Sequence, residues 1–279
     1  MQDSTFNEIA DLALRHTGQA FKPSKSYLME ARLSAISRRE SFATLDDLAH
    51  CLKARPNKRF EAEIAAALTG KTSKFFGDRD LIERIATHAL PERLKSSTTG
   101  RLRVWCAGVS TGQEAYSLAL RLSELDASPL KGAEIEIIGT DISADALQTA
   151  RNGIYGHFDV QKGLSIHRLM RHFTRMDSGD WQISNALRSK VTFRRHNLME
   201  DAGGLGHFDL IICRNVIGDM AKPMQAKAIK TASEQLLPGG LLFAAPHESL
   251  IGLVEGVIPS MDVRGGYLRR QGKAKTAAA

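Results

Sequence analysis

Residues 103–120 read RVWCAGVSTGQEAYSLAL. An apolar run, Val104 to Ala107, meets a turn with glycines at 108 and 112, and then Ala115, Leu118 and Ala119 recur at helical spacing. A buried strand that feeds a helix through a glycine-spaced turn is the opening unit of a parallel α/β sheet, since parallel neighbours need a helical crossover. The same alternation continues downstream. EIEIIGTD (134–141) reads as a strand and SADALQTARNGIY (143–155) as a helix. FDLIICRN (208–215) reads as a central strand, KPMQAKAIKTASEQLL (222–237) as a helix, and LLFAAP (241–246) as a last strand after the turn PGG. The pattern predicts a doubly wound, mainly parallel sheet, which binds ligands beyond the carboxyl ends of its strands.

Upstream the period is helical. FNEIADLALRHTG places Phe6, Ile9, Leu12 and Ala13 on one face and stops at Gly18; SYLMEARLSAISRRE, FATLDDLAHCLKA and FEAEIAAALTG give three more helices. Residues 1–95 are therefore expected to form a helical domain, the polar run SSTTG the linker at 96–100, and residues 101–279 the sheet domain.

With 279 residues, 43% hydrophobic and 25% charged, the chain has enough apolar material for two domains. No apolar run reaches the roughly 18 residues of a membrane span, and the N-terminus carries no basic-then-apolar signal. Cys51, Cys106 and Cys213 are too few and too scattered for a disulfide framework or a zinc site. The expected compartment is a reducing cytoplasm, with no membrane insertion and no metal. The net charge of +7 favours an acidic partner, although solvated surface charge is the simpler explanation. Nucleic acid is not expected, because no aromatic residues interleave with the basic ones.

The strand ends carry the candidate chemistry. Gly108 and Gly112 let the backbone pass close to a ligand, though many such turns serve packing alone. Glu114 opens the following helix. Asp141 ends the second strand, where an acid accepts hydrogen bonds from ribose hydroxyls, and Arg214 and Asn215 end the fourth. The turn lacks the lysine of a phosphate-binding loop, so a nucleoside without phosphates fits best. S-adenosylmethionine is such a ligand, with a ribose for Asp141 and an amino group for Glu114.

These blocks resemble the chemotaxis receptor methyltransferases of the CheR type. The resemblance runs through FKPSKSYLMEARLSAISRRE, ALTGKTSKFFGD, VWCAGVSTGQEAYSLAL, GTDISADALQTARNGIY, HNLME, FDLIICRNV and LLPGGLLFAAPHESL, in that order. It implies a small all-helical N-terminal domain and a Rossmann-like methyltransferase domain, with a small antiparallel subdomain inserted at about 156–196. It implies cofactor contacts at Lys71, Ser73, Glu114, Asp141, Asn197, Leu198, Arg214 and Asn215. It also implies a basic docking helix built on Arg32, Arg38 and Arg39, facing a chemoreceptor or another acidic protein. HFTRMDSGDWQISNAL resembles the shorter form of the inserted loop, so no tether to a receptor's C-terminal peptide is expected.

Two active-site positions depart from the family pattern. The loop that runs approximately T-T-N-x-T-x-F-F-R-[DE] in the family is TGKTSKFFGD here, so Gly77 stands where the family has arginine. RNVIGDM puts Asp219 where it has tyrosine. Lys71 and Ser73 replace asparagine and threonine, and Phe75 and Phe76 read as core. Gly77 supplies no positive charge, and Asp219 adds a negative one near an acidic acceptor. Three readings stand: a glutamate O-methyltransferase, a catalytically weakened cofactor-binding regulatory module, and an enzyme with another acceptor such as RNA or a different protein.

Overall fold

Four helices form where apolar residues recur at helical spacing, and their ends coincide with residues that satisfy the terminal amides and carbonyls. In this computed structural model, which describes residues 1–70, 73–125 and 129–269, α1 spans Asp3–Thr17, α2 Ser26–Arg39, α3 Leu45–Ala54 and α4 Lys58–Leu68. Gly18, at φ 73, closes α1 by donating its N–H to the Leu14 carbonyl. Thr44 and Asp47 form a reciprocal capping box at the start of α3, and Asn57 caps α4 by accepting from the amides of Arg59 and Phe60. Caps of this kind contribute about 1 kcal/mol each. Ile9, Ala13, Met29, Leu33, Leu48, Ile64 and Leu68 pack into the core of this unit. Val216–Ala228 belongs to it as well. The Ala20 N–H donates to the Asp219 carbonyl at 3.0 Å, and Ala221 donates to Gly18 at 2.9 Å.

The second unit contains residues 73–215 and 229–269 of the described chain. It begins with α5 (Arg79–Arg84), a π-helical turn over Ile85–Ala89, and α6 (Leu90–Lys95). The boundary therefore falls after Gly70 and not at the polar run 96–100. The reason is apolar: Phe75, Leu81, Ile82, Ile85, Ala89 and Leu90 are buried in the same cluster as Val104, Leu118 and Ile212.

Next come β1 (Arg101–Ala107), α7 (Gln113–Ser123), β2 (Glu134–Asp141) and α8 (Ala144–Asn152). A small antiparallel sheet follows, with β3 (Ile154–Tyr155), α9 (His157–Gln161), α10 (Ile166–His172), β4 (Phe173–Arg175) and β5 (Trp181–Ile183). The chain continues as α11 (Asn185–Arg188), β6 (Val191–Arg195), β7 (Phe208–Cys213), α12 (Lys222–Glu234), β8 (Leu236–Phe243), β9 (Val257–Pro259) and β10 (Gly266–Arg269). The insertion ends earlier than 196, because β6 pairs in parallel with β2. The PGG segment is not a turn before the last parallel strand; β8 runs through it, with a register shift against β7.

The large sheet has the order β6-β2-β1-β7-β8-β10-β9. Its first five strands are parallel, and β10 and β9 are antiparallel. From β1 the chain moves outward through β2 and β6, then crosses to β7 on the other side. That reversal leaves a crevice at the carboxyl end of β1, where doubly wound sheets hold their ligands.

Candidate cofactor site

The β1–α7 turn is tied to the end of β2. The amides of Gly108 and Val109 donate to the Thr140 carbonyl at 2.8 and 2.9 Å. Asp141 completes the clamp by accepting from the amides of Ser110 and Ser143, both at 2.8 Å. The turn needs left-handed backbone at Gly108 (φ 73), Ser110 (φ 52) and Gly112 (φ 87). At Gly112 packing adds a second demand, since a Cβ would lie 2.9 Å from the Ala150 Cβ and 3.0 Å from the Phe193 ring. Its glycine thus serves helix–sheet contact, the ordinary alternative for such a turn.

Arg214 lies just past β7 and is 8% exposed. Its guanidinium donates to Glu114 at 2.5 Å and to Asp78, the N-cap of α5, at 3.0 Å. Burial raises the Glu114 carboxyl above the usual range, Arg214 opposes the shift, and the charges of Asp78 and Glu248 add to it. Burial also pushes up the Cys106 and Cys213 thiols, reinforced in both by Glu114, so neither is poised as a nucleophile.

Glu248 was not singled out by motif reading. It is 4% exposed, and its Oε2 accepts from the amides of Asn215 (2.8 Å) and Ala245 (3.1 Å). It thereby joins the ends of β7 and β8 and holds Asn215 at φ 57. The available signal was its position just past the last parallel strand, in PHES. At the end of β6, His196 donates its amide to the Asp141 carbonyl at 3.1 Å. Asn197 accepts from the Met199 amide at 3.1 Å, and Leu198 is buried.

Gly108, Gly112, Glu114, Asp141, Asn197, Leu198, Arg214 and Asn215 therefore share one end of the sheet, at the carboxyl termini of four adjacent strands. Three buried polar atoms there have no hydrogen-bond partner among the described residues: Ser110 Oγ after β1, His196 Nε2 after β6 and Arg214 Nε after β7. Buried polar atoms are normally satisfied. Unsatisfied groups gathered at the switch point, beside two anchored carboxylates, fit a polar nucleoside ligand.

The remaining candidates are placed differently. Lys71 lies outside the described residues, and Ser73 is half-buried. Phe75 and Phe76 are core: Phe75 meets Tyr155 and Phe173 edge-on at 5.0 and 5.5 Å, and the Phe76 amide donates to Ser117 Oγ at 2.9 Å. Gly77 is exposed, and the Lys74 side chain runs past it, with Cγ and Cε 3.2 Å from where a Cβ would sit. Asp219 belongs to the helical unit, not to the unit that holds Gly77. Arg32 donates to the Leu68 carbonyl, and Arg39 is paired with Glu63 (2.5 Å) and Glu40 (2.7 Å). Of the three arginines proposed for docking, Arg39 is the one that forms ion pairs among the described residues. No cluster of metal-ligating side chains occurs among the described residues, and no helix there is long and apolar enough to cross a membrane.

Comparison with known proteins identifies the family. The family model described as CheR methyltransferase, SAM binding domain, matches residues 71–262, and the CheR methyltransferase all-alpha domain matches residues 4–69. The chain is 31% identical over 231 residues to chemotaxis protein methyltransferase Cher2 of Pseudomonas putida, covering 82% of this chain and 84% of the relative. It is 32% identical over 231 residues to chemotaxis protein methyltransferase 1 of Pseudomonas aeruginosa, with the same coverage of 82% and 84%. It is 31% identical over 261 residues to the chemotaxis protein methyltransferase of Salmonella typhimurium, covering 91% and 86%. The matched domain binds S-adenosylmethionine, and the strand-end residues suit that cofactor. The chain belongs to the CheR methyltransferase family and is an S-adenosylmethionine-dependent chemotaxis methyltransferase.

Proposed function

We propose that this chain methylates glutamate side chains on a chemoreceptor or a similar acidic helical protein, and that its chemistry is slower than the family pattern allows. The observation that carries the reading is the strand-end pairing of Asp141, held by two backbone amides, with Glu114, held by buried Arg214. When bound, S-adenosylmethionine supplies an electrophilic methyl group on a sulfonium. Asp141 would hold the ribose hydroxyls, Glu114 the amino group, and Asn197 and Leu198 the adenine side. The acceptor carboxylate is ionised at neutral pH, so the chain needs no general base. Its task is to align two groups and exclude water while charge is neutralised.

Gly77 supports the second half of the proposal. It contributes neither a cation nor a hydrogen bond to steer an incoming carboxylate. With Lys74 lying across it, the segment still carries a positive side chain there. This favours reduced turnover over complete loss, and the regulatory cofactor-binding module remains the competing reading.

The test separates binding from chemistry. Calorimetry should detect S-adenosylmethionine, with Asp141→Ala weakening it by about 1–3 kcal/mol because polar ligand groups lose their partner. Methyl-labelled cofactor mixed with a receptor cytoplasmic domain should then give base-labile label on glutamate. Binding without label transfer would reject the enzyme and leave the regulatory module.

A further inference from the structure

The outward face of α10 is chemically out of place on a solvated surface. At about 100° per residue, Leu169, Arg168 and His172 point to one side of this helix. Leu169 is 6% exposed, and Arg168 pairs with Glu124 at 2.7 Å while lying 4.0 Å over the Phe76 ring. The opposite side holds Ile166, His167, Met170 and Arg171, all exposed. Ile166 and Met170 are one turn apart and keep 72% and 66% of their surface in water. Two more exposed apolar residues fall in the same stretch, Phe158 (76%) and Met176 (36%). Half of the eight large apolar side chains exposed among the described residues thus lie within residues 158–176.

The charge of this stretch is mainly positive. Lys162, Arg171 and Arg175 are exposed and form no ion pair among the described residues. The one acid within residues 158–176 is Asp159, and Asp177 follows just outside. The one basic residue here with a carboxylate partner, Arg168, is turned inward.

We propose that this face docks an acidic amphipathic helix of a partner protein. Ile166 and Met170, four residues apart, match the apolar stripe of such a helix, and Arg171, Arg175 and Lys162 match carboxylates along its flanks. Burying the two apolar side chains favours association, and the cations steer it. A lipid surface is the weaker match, because a helix of seven residues is short for an interfacial anchor and the face presents neither Trp nor Tyr. The contact uses helix side chains, not the open backbone of the small sheet, and it does not depend on which residue accepts the methyl group.

The full chain is titrated into a labelled synthetic helix of about 20 residues, with leucines on one stripe and glutamates beside it. A scrambled peptide and phosphatidylglycerol vesicles serve as the other arms. Binding to the patterned helix is expected, falling as salt rises and weakened at least about tenfold by either Ile166→Ser with Met170→Ser or Arg171→Glu with Arg175→Glu. Calorimetry with S-adenosylmethionine on each variant reports that the sheet unit is still folded. Absent binding, binding unchanged in both variants, equal binding of the scrambled peptide, or binding to vesicles alone would each overturn the proposal.

Discussion

The β1–α7 turn and the segment from Lys74 to Gly77 belong to the same unit but are held in different ways. The turn is fixed through main-chain groups: Thr140 and Asp141 receive the amides of Gly108, Val109 and Ser110, and Gly112 fits against Ala150 and Phe193. The segment is fixed by two buried phenylalanines, while Gly77, the position proposed to face an acceptor, is bare and exposed. Backbone recognition constrains shape and tolerates many sequences that keep it. Recognition by one side chain is lost with one substitution. Under the proposed reading, cofactor binding therefore persists where acceptor recognition is weakened.

The largest expected effect lies on the cofactor side. Arg214→Met leaves the half-buried carboxylates of Glu114 and Asp78 beside each other without the buried cation that pairs them. Breaking a buried pair from one side costs about 3–5 kcal/mol, to be read as a lowered urea midpoint. A loss below about 1 kcal/mol, the range of an exposed pair, would remove the buried network from the comparison.

Glycine substitutions sharpen the contrast next. Gly112→Ala imposes a side chain at φ 87 and against two neighbours, so about 1–3 kcal/mol of destabilisation is expected. Gly77→Ala meets only the flexible Lys74 chain and should stay within about 0.5 kcal/mol. Equal effects at the two positions would erase the distinction.

Restoring the family residue at Gly77 addresses rate. Gly77→Arg, alone and with Asp219→Tyr, should raise methyl transfer while cofactor affinity stays nearly constant. A tenfold gain corresponds to about 1.4 kcal/mol of transition-state stabilisation. A slower variant would show that Lys74 already fills the role and that the wild type is not weakened.

The smallest effect is a pH slope. Burial holds the Glu114 carboxyl above its unfolded value, so the native state binds the proton more tightly. Its contribution to stability is then most favourable in acid and declines as pH rises from the unfolded glutamate value, about 4.3, towards the raised native one. Subtracting the urea stability of Glu114→Gln at each pH should expose that falling slope. A slope of the opposite sign would mean that Arg214 outweighs burial.

Much of this was legible because the signals are local. Strand and helix periods located β1, α7, β2, α8 and β7, and the caps of α1, α3 and α4 are short-range chemistry. Asp141 and Arg214 could be placed because a parallel sheet presents its strand ends on one side. Glu248 was missed because its partners, the amides of Asn215 and Ala245, are brought to it only when β7 and β8 pair. Arg32 and Arg39 looked like a free basic surface, since Leu68 and Glu63 lie 36 and 24 residues away in the chain.

By itself, then, the order of residues determined the α/β architecture, the family and the cofactor, all of which rest on local periodicity and residue identity. Tertiary structure alone decided that α5 and α6 join the sheet, that residues 216–228 join the helices, and that Glu114 is committed to Arg214 across 100 residues of chain. It also left Ile166 and Met170 uncovered while turning Arg168 inward. Burial and pairing between distant segments are properties of the packed chain, because the free energy of an apolar or charged side chain depends on what folding brings against it.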